Sequence, residues 1–262
     1  MGFSEAFILN SVAIGIFPFV RISACLMSMF AFSSQNVPIV IRLTLALALT
    51  YNFLGNIPEP EVFEVFSIKG FITIAHEFLI GLGIGFVTQF ISQIFVVAGQ
   101  VVAMQTGLGF ASLVDPVSGT NTPVVGQFFT VLTTILFFAV DGHLMLFRLL
   151  HYSFELVPIN NTFPTLVWVE FAKFGSLMFI IALSLSISSI CAMLLVNFTF
   201  GVMTRAAPQL NIFSLGFAIS MLSGIVILRL VMSGFSIHFE EAMNQVFNLG
   251  CTFIGSECPN LF

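Results

Sequence analysis

Between Ile68 and Met104 the chain runs through Ile, Phe, Val, Leu, Gly and Ala with only two Lys, Arg, Asp or Glu side chains, Lys69 and Glu77. A second run, Leu166–Val196, has no such charge after Lys173. In so apolar a setting no water can satisfy the backbone N–H and C=O groups, so the chain must bond to itself as helix. An unbroken helix over Ile68–Met104 measures roughly 55 Å at 1.5 Å per residue. The hydrocarbon core of a bilayer is only about 30 Å thick. Helices of this length must tilt, kink or project beyond the lipid. Gly81, Gly83, Gly85 and Gly99 supply points for kinking or close packing.

Composition agrees. Hydrophobic residues make up 58% of the chain and charged residues 7%, and the mean hydropathy is +1.10. Soluble domains carry about 25% charge, so this is an integral membrane protein. Phe occurs 34 times, Trp once and Tyr twice, which leaves the usual interfacial Trp/Tyr belts thin. The acidic residues are scattered and no basic patch points to nucleic acid. MGFSEAFILN lacks the basic region and cleavage site of a signal peptide, and Ala6 breaks the myristoylation pattern. The seven Lys and Arg show little loop asymmetry from which to read orientation.

About six apolar helical segments are expected, at Glu5–Ala31, Val37–Ile57, Ile68–Met104, Val124–Leu150, Leu166–Val196 and Ile212–Phe235. A weaker amphipathic helix follows over Ser236–Leu249. The fold class is thus all-α membrane protein, built from long, kinked helices in hairpins. Pro38, Pro58, Pro60, Pro158, Pro164 and Pro208 mark breaks, since Pro cannot continue a helix. The break from Gln105 to Gln127, QTGLGFASLVDPVSGTNTPVVGQ, is different in kind. Its Leu108, Phe110, Leu113 and Val114 are more apolar than an exposed loop needs, Asp115-Pro116 favours a turn, and Gly107, Gly109 and Gly119 make it flexible. It is either a loop outside the membrane or a segment lining a cavity, and its mix of residues suits a plug better than a linker.

Few residues offer chemistry. The Gly81–Gly85 spacing lets a second helix backbone approach, and no strand precedes it to make a dinucleotide loop. His76 and Glu77 are ionisable groups in an apolar run. They serve a proton relay, mark a helix end or pair with a neighbouring chain. Ile80 stands where a zinc hydrolase would need His, and no metal site or cofactor is indicated. Asp141-Gly142-His143 reads as a polar helix end without a nucleophile. Arg205, Pro208, Gln209 and Asn211 form the tip of a helical hairpin, either a capped basic loop or a contact for a partner. Cys25 and Cys191 read as packing residues, whereas Cys251 and Cys258 can pair in an oxidising compartment.

These residues, taken in order, resemble a known family. Glu77-x-x-x-Gly81, Ala98-Gly99, Gln105-x-Gly107, Asp115-Pro116, Gly142-His143, Ser153-Phe154, Pro158, Asn197, Gly201, Arg205 and Pro208-Gln209-x-Asn211 are similar to the pattern of the FliR family of flagellar biosynthetic proteins, which includes the T component of virulence secretion gates. Asp141 departs from it, where a small residue is expected. The resemblance implies a non-enzymatic subunit of the type III export gate in the bacterial inner membrane and flagellar basal body. There it would be assembled into a helical cone with several copies each of FliP and FliQ, with FlhB docked at the base and FlhA supplying the cytoplasmic ring. The gate would pass unfolded polypeptides and seat the rod proteins. Residues 1–104 would be a P-subunit-like part, 105–127 a lumenal plug loop, and 128–262 would include a Q-subunit-like hairpin. Gln105, Gly107, Leu108, Phe110, Leu113, Val114, Asp115 and Pro116 would form the plug. Glu77, Gly81, Gly85, Arg205, Pro208, Gln209 and Asn211 would serve packing and subunit contact. The alternative is a stand-alone transporter with a re-entrant loop, coupling ions through Glu77, Asp115 or Asp141.

Overall fold

A computed structural model describes residues 5–33, 37–55, 57, 67–109, 123–159, 167–206 and 216–255. Among them lie eight helices and no strand: α1 (Glu5–Ser28), α2 (Phe30–Ser33), α3 (Ile39–Phe53), α4 (Ile68–Thr106), α5 (Val124–Ala139), α6 (Gly142–Leu156), α7 (Val167–Ala206) and α8 (Phe217–Phe253). The all-α membrane class holds. By length and composition α4, α7 and α8 can each cross a membrane, and α5 with α6 adds a fourth span if the two are taken together.

The element boundaries differ from the expected ones for identifiable reasons. The first segment breaks at Met29. There the Phe30 N–H donates to Thr88 Oγ1 at 3.2 Å, and Gln89 Nε2 donates to the Ser28 carbonyl at 2.8 Å. The Val124–Leu150 segment breaks at Asp141, whose φ of 57° is left-handed and ends one helix before the next begins. The expected Ser236–Leu249 helix is not separate. Gly224, Ile227, Val231, Phe235, Phe239 and Ala242 form one buried stripe at helical spacing, and nothing interrupts it at Ser236. At the opening break, α4 continues through Gln105 to Thr106 and α5 already contains Gln127. Gly107 then ends α4 in a left-handed conformation, φ 78°, with its N–H on the Met104 carbonyl at 3.5 Å. This is a common glycine-terminated helix end.

The chain divides into two compact units. Unit 1 holds Met1–Phe90, Asp141–Phe174 and Gln245–Phe262. Its core is formed by Phe17, Ile22, Leu26 and Met29 of α1 and the turn after it, Ile80, Ile84 and Val87 of α4, and Leu146, Leu149 and Phe154 of α6. Helices α1 and α4 approach backbone to backbone. A Cβ on Gly81 would strike the Arg21 carbonyl, and one on Gly85 would strike Ser28 Oγ and the Cys25 carbonyl. The Gly81–Gly85 spacing is therefore the crossing point of two helices of the same chain.

Unit 2 holds Ile91–Val140 and Gly175–Asn244. The Phe95 and Phe235 rings lie 4.6 Å apart, and Phe129 meets Phe235 edge-on at 5.3 Å. Much of the Phe content is thus interior packing, with ring pairs in favourable tilted geometry. Gly99 brings α4 onto α5, where a Cβ would lie 2.8 Å from Gly126 Cα. Several hydroxyls in these helices bond back to their own backbone, although the buried Thr133 Oγ1 has no hydrogen-bond partner among the described residues. Thr130 donates to the Gly126 carbonyl, Ser186 to Ala182 and Ser189 to Ser186, so few hydroxyls need a partner from another element.

Candidate functional site

The most elaborate polar site of the described residues lies inside unit 1. Arg21 enters it from α1, fully buried, opposite Glu77 of α4. Arg21 Nε donates to Glu77 Oε2 at 2.6 Å and Nη2 donates to Oε1 at 2.9 Å. This is the two-pronged arrangement that suits guanidinium and carboxylate. Arg21 Nη1 donates to the Ser153 carbonyl at 2.7 Å and to Ser153 Oγ at 3.2 Å, and Nη2 donates to the Val157 carbonyl at 3.0 Å. The guanidinium carbon lies 4.3 Å from the centre of the Phe154 ring.

An arginine has five N–H donors, and these contacts use all of them. No donor is left for an anionic substrate. Two of the acceptors, the Ser153 and Val157 carbonyls, are at the end of α6, where a cation is favoured; the Ser153 carbonyl accepts the Val157 N–H at 3.1 Å as well. The site joins α1, α4 and α6 and neutralises two buried charges at once. Glu77 was legible in the sequence as a lone carboxylate in an apolar run. Arg21 is one of the seven Lys and Arg, and nothing in the spacing paired it with Glu77.

The other expected site residues fall elsewhere. Gln105 is half-buried in the last turn of α4, and Gly107 faces the Phe217 ring and Ser220 of α8. Leu108 is half-buried after the helix end, and the Gly109 N–H donates to the Ala103 carbonyl at 2.9 Å. Phe110, Leu113, Val114, Asp115 and Pro116 lie outside the described residues, as do Pro208, Gln209 and Asn211. Arg205 is exposed in the last turn of α7, still helical rather than in a hairpin loop. Asp141 is exposed at the start of α6, and the His143 ring meets Phe147 edge-on at 6.5 Å. Cys25 and Cys191 are free thiols, Cys251 is disulfide-bonded, and Cys258 lies outside the described residues. Among the described residues no group of three His, Cys, Asp or Glu side chains could hold a metal ion.

Fold and site together define a helical membrane protein whose buried Arg–Glu pair is spent on holding its own helices. Residues 12–246 match the family described as bacterial export proteins, family 1. The chain is 32% identical over 243 residues to the flagellar biosynthetic protein FliR of Escherichia coli (strain K12), covering 92% of each chain. It is 30% identical over 237 residues to FliR of Bacillus subtilis (strain 168), covering 86% of this chain and 90% of the relative. With FliR of Caulobacter vibrioides it shares 26% identity over 250 residues. The chain belongs to this export-protein family, among the FliR proteins.

Proposed function

We propose that this chain is a non-catalytic core subunit of the flagellar export apparatus in the bacterial inner membrane. The observation that carries the reading is the family match over residues 12–246, which takes in nearly every helix. Physical support comes from helix length. Helices α4, α7 and α8 hold 39, 40 and 37 residues, whereas a bilayer needs about 20. Apolar side chains continue along them, as Leu195, Phe198 and Val202 do on α7. Such surface is suited to burial against other subunits. On this reading FliP, FliQ, FlhB and FlhA are the partners, and the exported cargo is unfolded polypeptide, including the rod proteins. Isolation of the tagged chain from native membranes tests it. Co-purification with several small membrane subunits is the expected result. A monomer that binds a small solute would favour a stand-alone transporter instead.

Within that reading, Gln105–Gln127 is the channel plug. An apolar constriction excludes ions by dewetting, which a pore wide enough for a polypeptide requires at rest. Deleting Phe110–Pro116 is expected to make the membrane leaky to ions while secretion continues. Unchanged conductance in that strain would remove the plug assignment and leave the subunit assignment standing.

A further inference from the structure

Helix α8 changes character along its length. Up to Leu230 its exposed residues include Leu222, Ile225, Val226 and Leu230, and Arg229 stands at the edge of this apolar part. From Ser233 to Thr252 the exposed residues are polar, with Ser233, Ser236, Glu240, Glu241, Asn244 and Asn248 among them and Ile237 the one apolar member. The apolar part, Phe217–Met232, is about 24 Å long and the polar part about 30 Å. A carboxylate facing hydrocarbon is costly, so Glu240 and Glu241 place the second part in water.

The sulfur chemistry identifies the side of the membrane to which that water belongs. Cys251, in the last turn of α8, is disulfide-bonded. The sequence holds four cysteines, and Cys25 and Cys191 are free thiols, which leaves Cys258 to pair with it. Cytosolic thiols are kept reduced, whereas the bacterial periplasm is oxidising. Cys251 is only 2% exposed, so its bond is shielded from thiols once the chain has folded, as befits a structural bridge rather than a labile one. Polar surface and a bond that persists in an oxidising compartment thus meet at one end of one helix.

We propose that Cys251 is oxidised outside the cytoplasm by a disulfide-bearing thiol oxidase, and that α8 runs outward across the membrane with its polar part in the periplasm. This rests on the inner-membrane reading above. One cysteine thiolate attacks the oxidase disulfide and forms a mixed disulfide, and the second thiolate displaces the oxidase sulfur. The two thiols of the chain lose two protons and two electrons, and the oxidase disulfide becomes a dithiol. The same orientation sets the opposite end of the α7–α8 hairpin on the cytoplasmic side. There Ser223 Oγ lies 3.7 Å from Met193 Sδ, and the exposed Arg205 follows in the last turn of α7.

Two readouts on the full chain in native membranes test this. In the first, cells are quenched in acid and the denatured chain is alkylated with a mass-adding maleimide. The wild type is expected to take two tags without prior reduction, at Cys25 and Cys191, and all four after it. In a strain lacking the periplasmic thiol oxidase, the oxidised fraction is expected to fall at least about fivefold. C251S is expected to take three tags with or without reduction. Four tags in the unreduced wild type overturn the proposal, as does an oxidised fraction unchanged by loss of the oxidase. In the second, alkaline phosphatase, which is active only outside the cytoplasm, is fused after Phe262 in the oxidase-containing strain. Activity upholds the orientation, and an inactive fusion at normal membrane levels overturns it. Failure of the inner-membrane subunit reading shows separately, as a chain absent from inner-membrane fractions or purified without companions.

Discussion

Arg21 and Glu77 place two opposite charges where neither has access to water. Their attraction and hydrogen bonds offset a desolvation cost of several kcal/mol per ion. Removing one partner leaves the other stranded. R21L or E77L alone is therefore expected to lower unfolding free energy by about 3–5 kcal/mol. R21L/E77L together should cost clearly less than the sum, since no bare charge remains. Denaturant unfolding in detergent micelles measures the cycle, and strict additivity would show the pair to be uncoupled. The partners lie 56 positions apart in sequence. Any of seven Lys or Arg could have answered Glu77, and only the α1–α4 crossing selects Arg21.

At the scale of the element, the glycines divide by what lies beside them. Gly81 has the α1 backbone against it, whereas Gly175 on α7 has nothing within 4 Å. A backbone cannot yield as a side-chain tip can. Gly81→Ala is expected to destabilise the protein by about 1–3 kcal/mol, and Gly175→Ala to be neutral or to stabilise by roughly 0.5–1 kcal/mol. Thermal unfolding of the two variants in detergent checks the contrast. The Gly81–Gly85 spacing was readable as a packing face, but whether the partner helix was internal or foreign was not. The break at Asp141 was only half readable. The polar Asp-Gly-His group marked a helix end, yet the apolar run continued on both sides and read as one helix. The backbone at Asp141 is left-handed, φ 57°. Glycine takes that conformation freely, and Asp is among the few others that visit it.

For the whole molecule, composition alone was enough to place the chain in a membrane, because so little charge is present to hold it in water. The division into two units was not legible. Helices α4, α7 and α8 each contribute to both units, and an unbroken apolar run gives no sign of where one core ends and the next begins. The Phe110–Pro116 part of the expected plug rests on residue character alone, since it lies outside the described residues. Helix length makes a testable statement. In a chain without cysteine, single cysteines placed along α7 are expected to resist maleimide over about 20 positions when the chain is expressed alone. With the other export subunits present, the protected stretch should lengthen. Equal lengths in the two strains would mean that the surplus apolar surface stays uncovered.

Five hydroxyls of α7 and α5 carry a consequence for how such a protein is made. Ser184, Ser186, Ser189, Thr130 and Thr134 each give their hydrogen to a carbonyl of their own helix. A helix that brings its hydrogen bonds with it breaks none of them when its surroundings change from lipid to protein. Insertion and assembly can then be separate events in time: the helices form in the bilayer first, and transfer into a complex later requires only the exchange of lipid contacts for side-chain contacts.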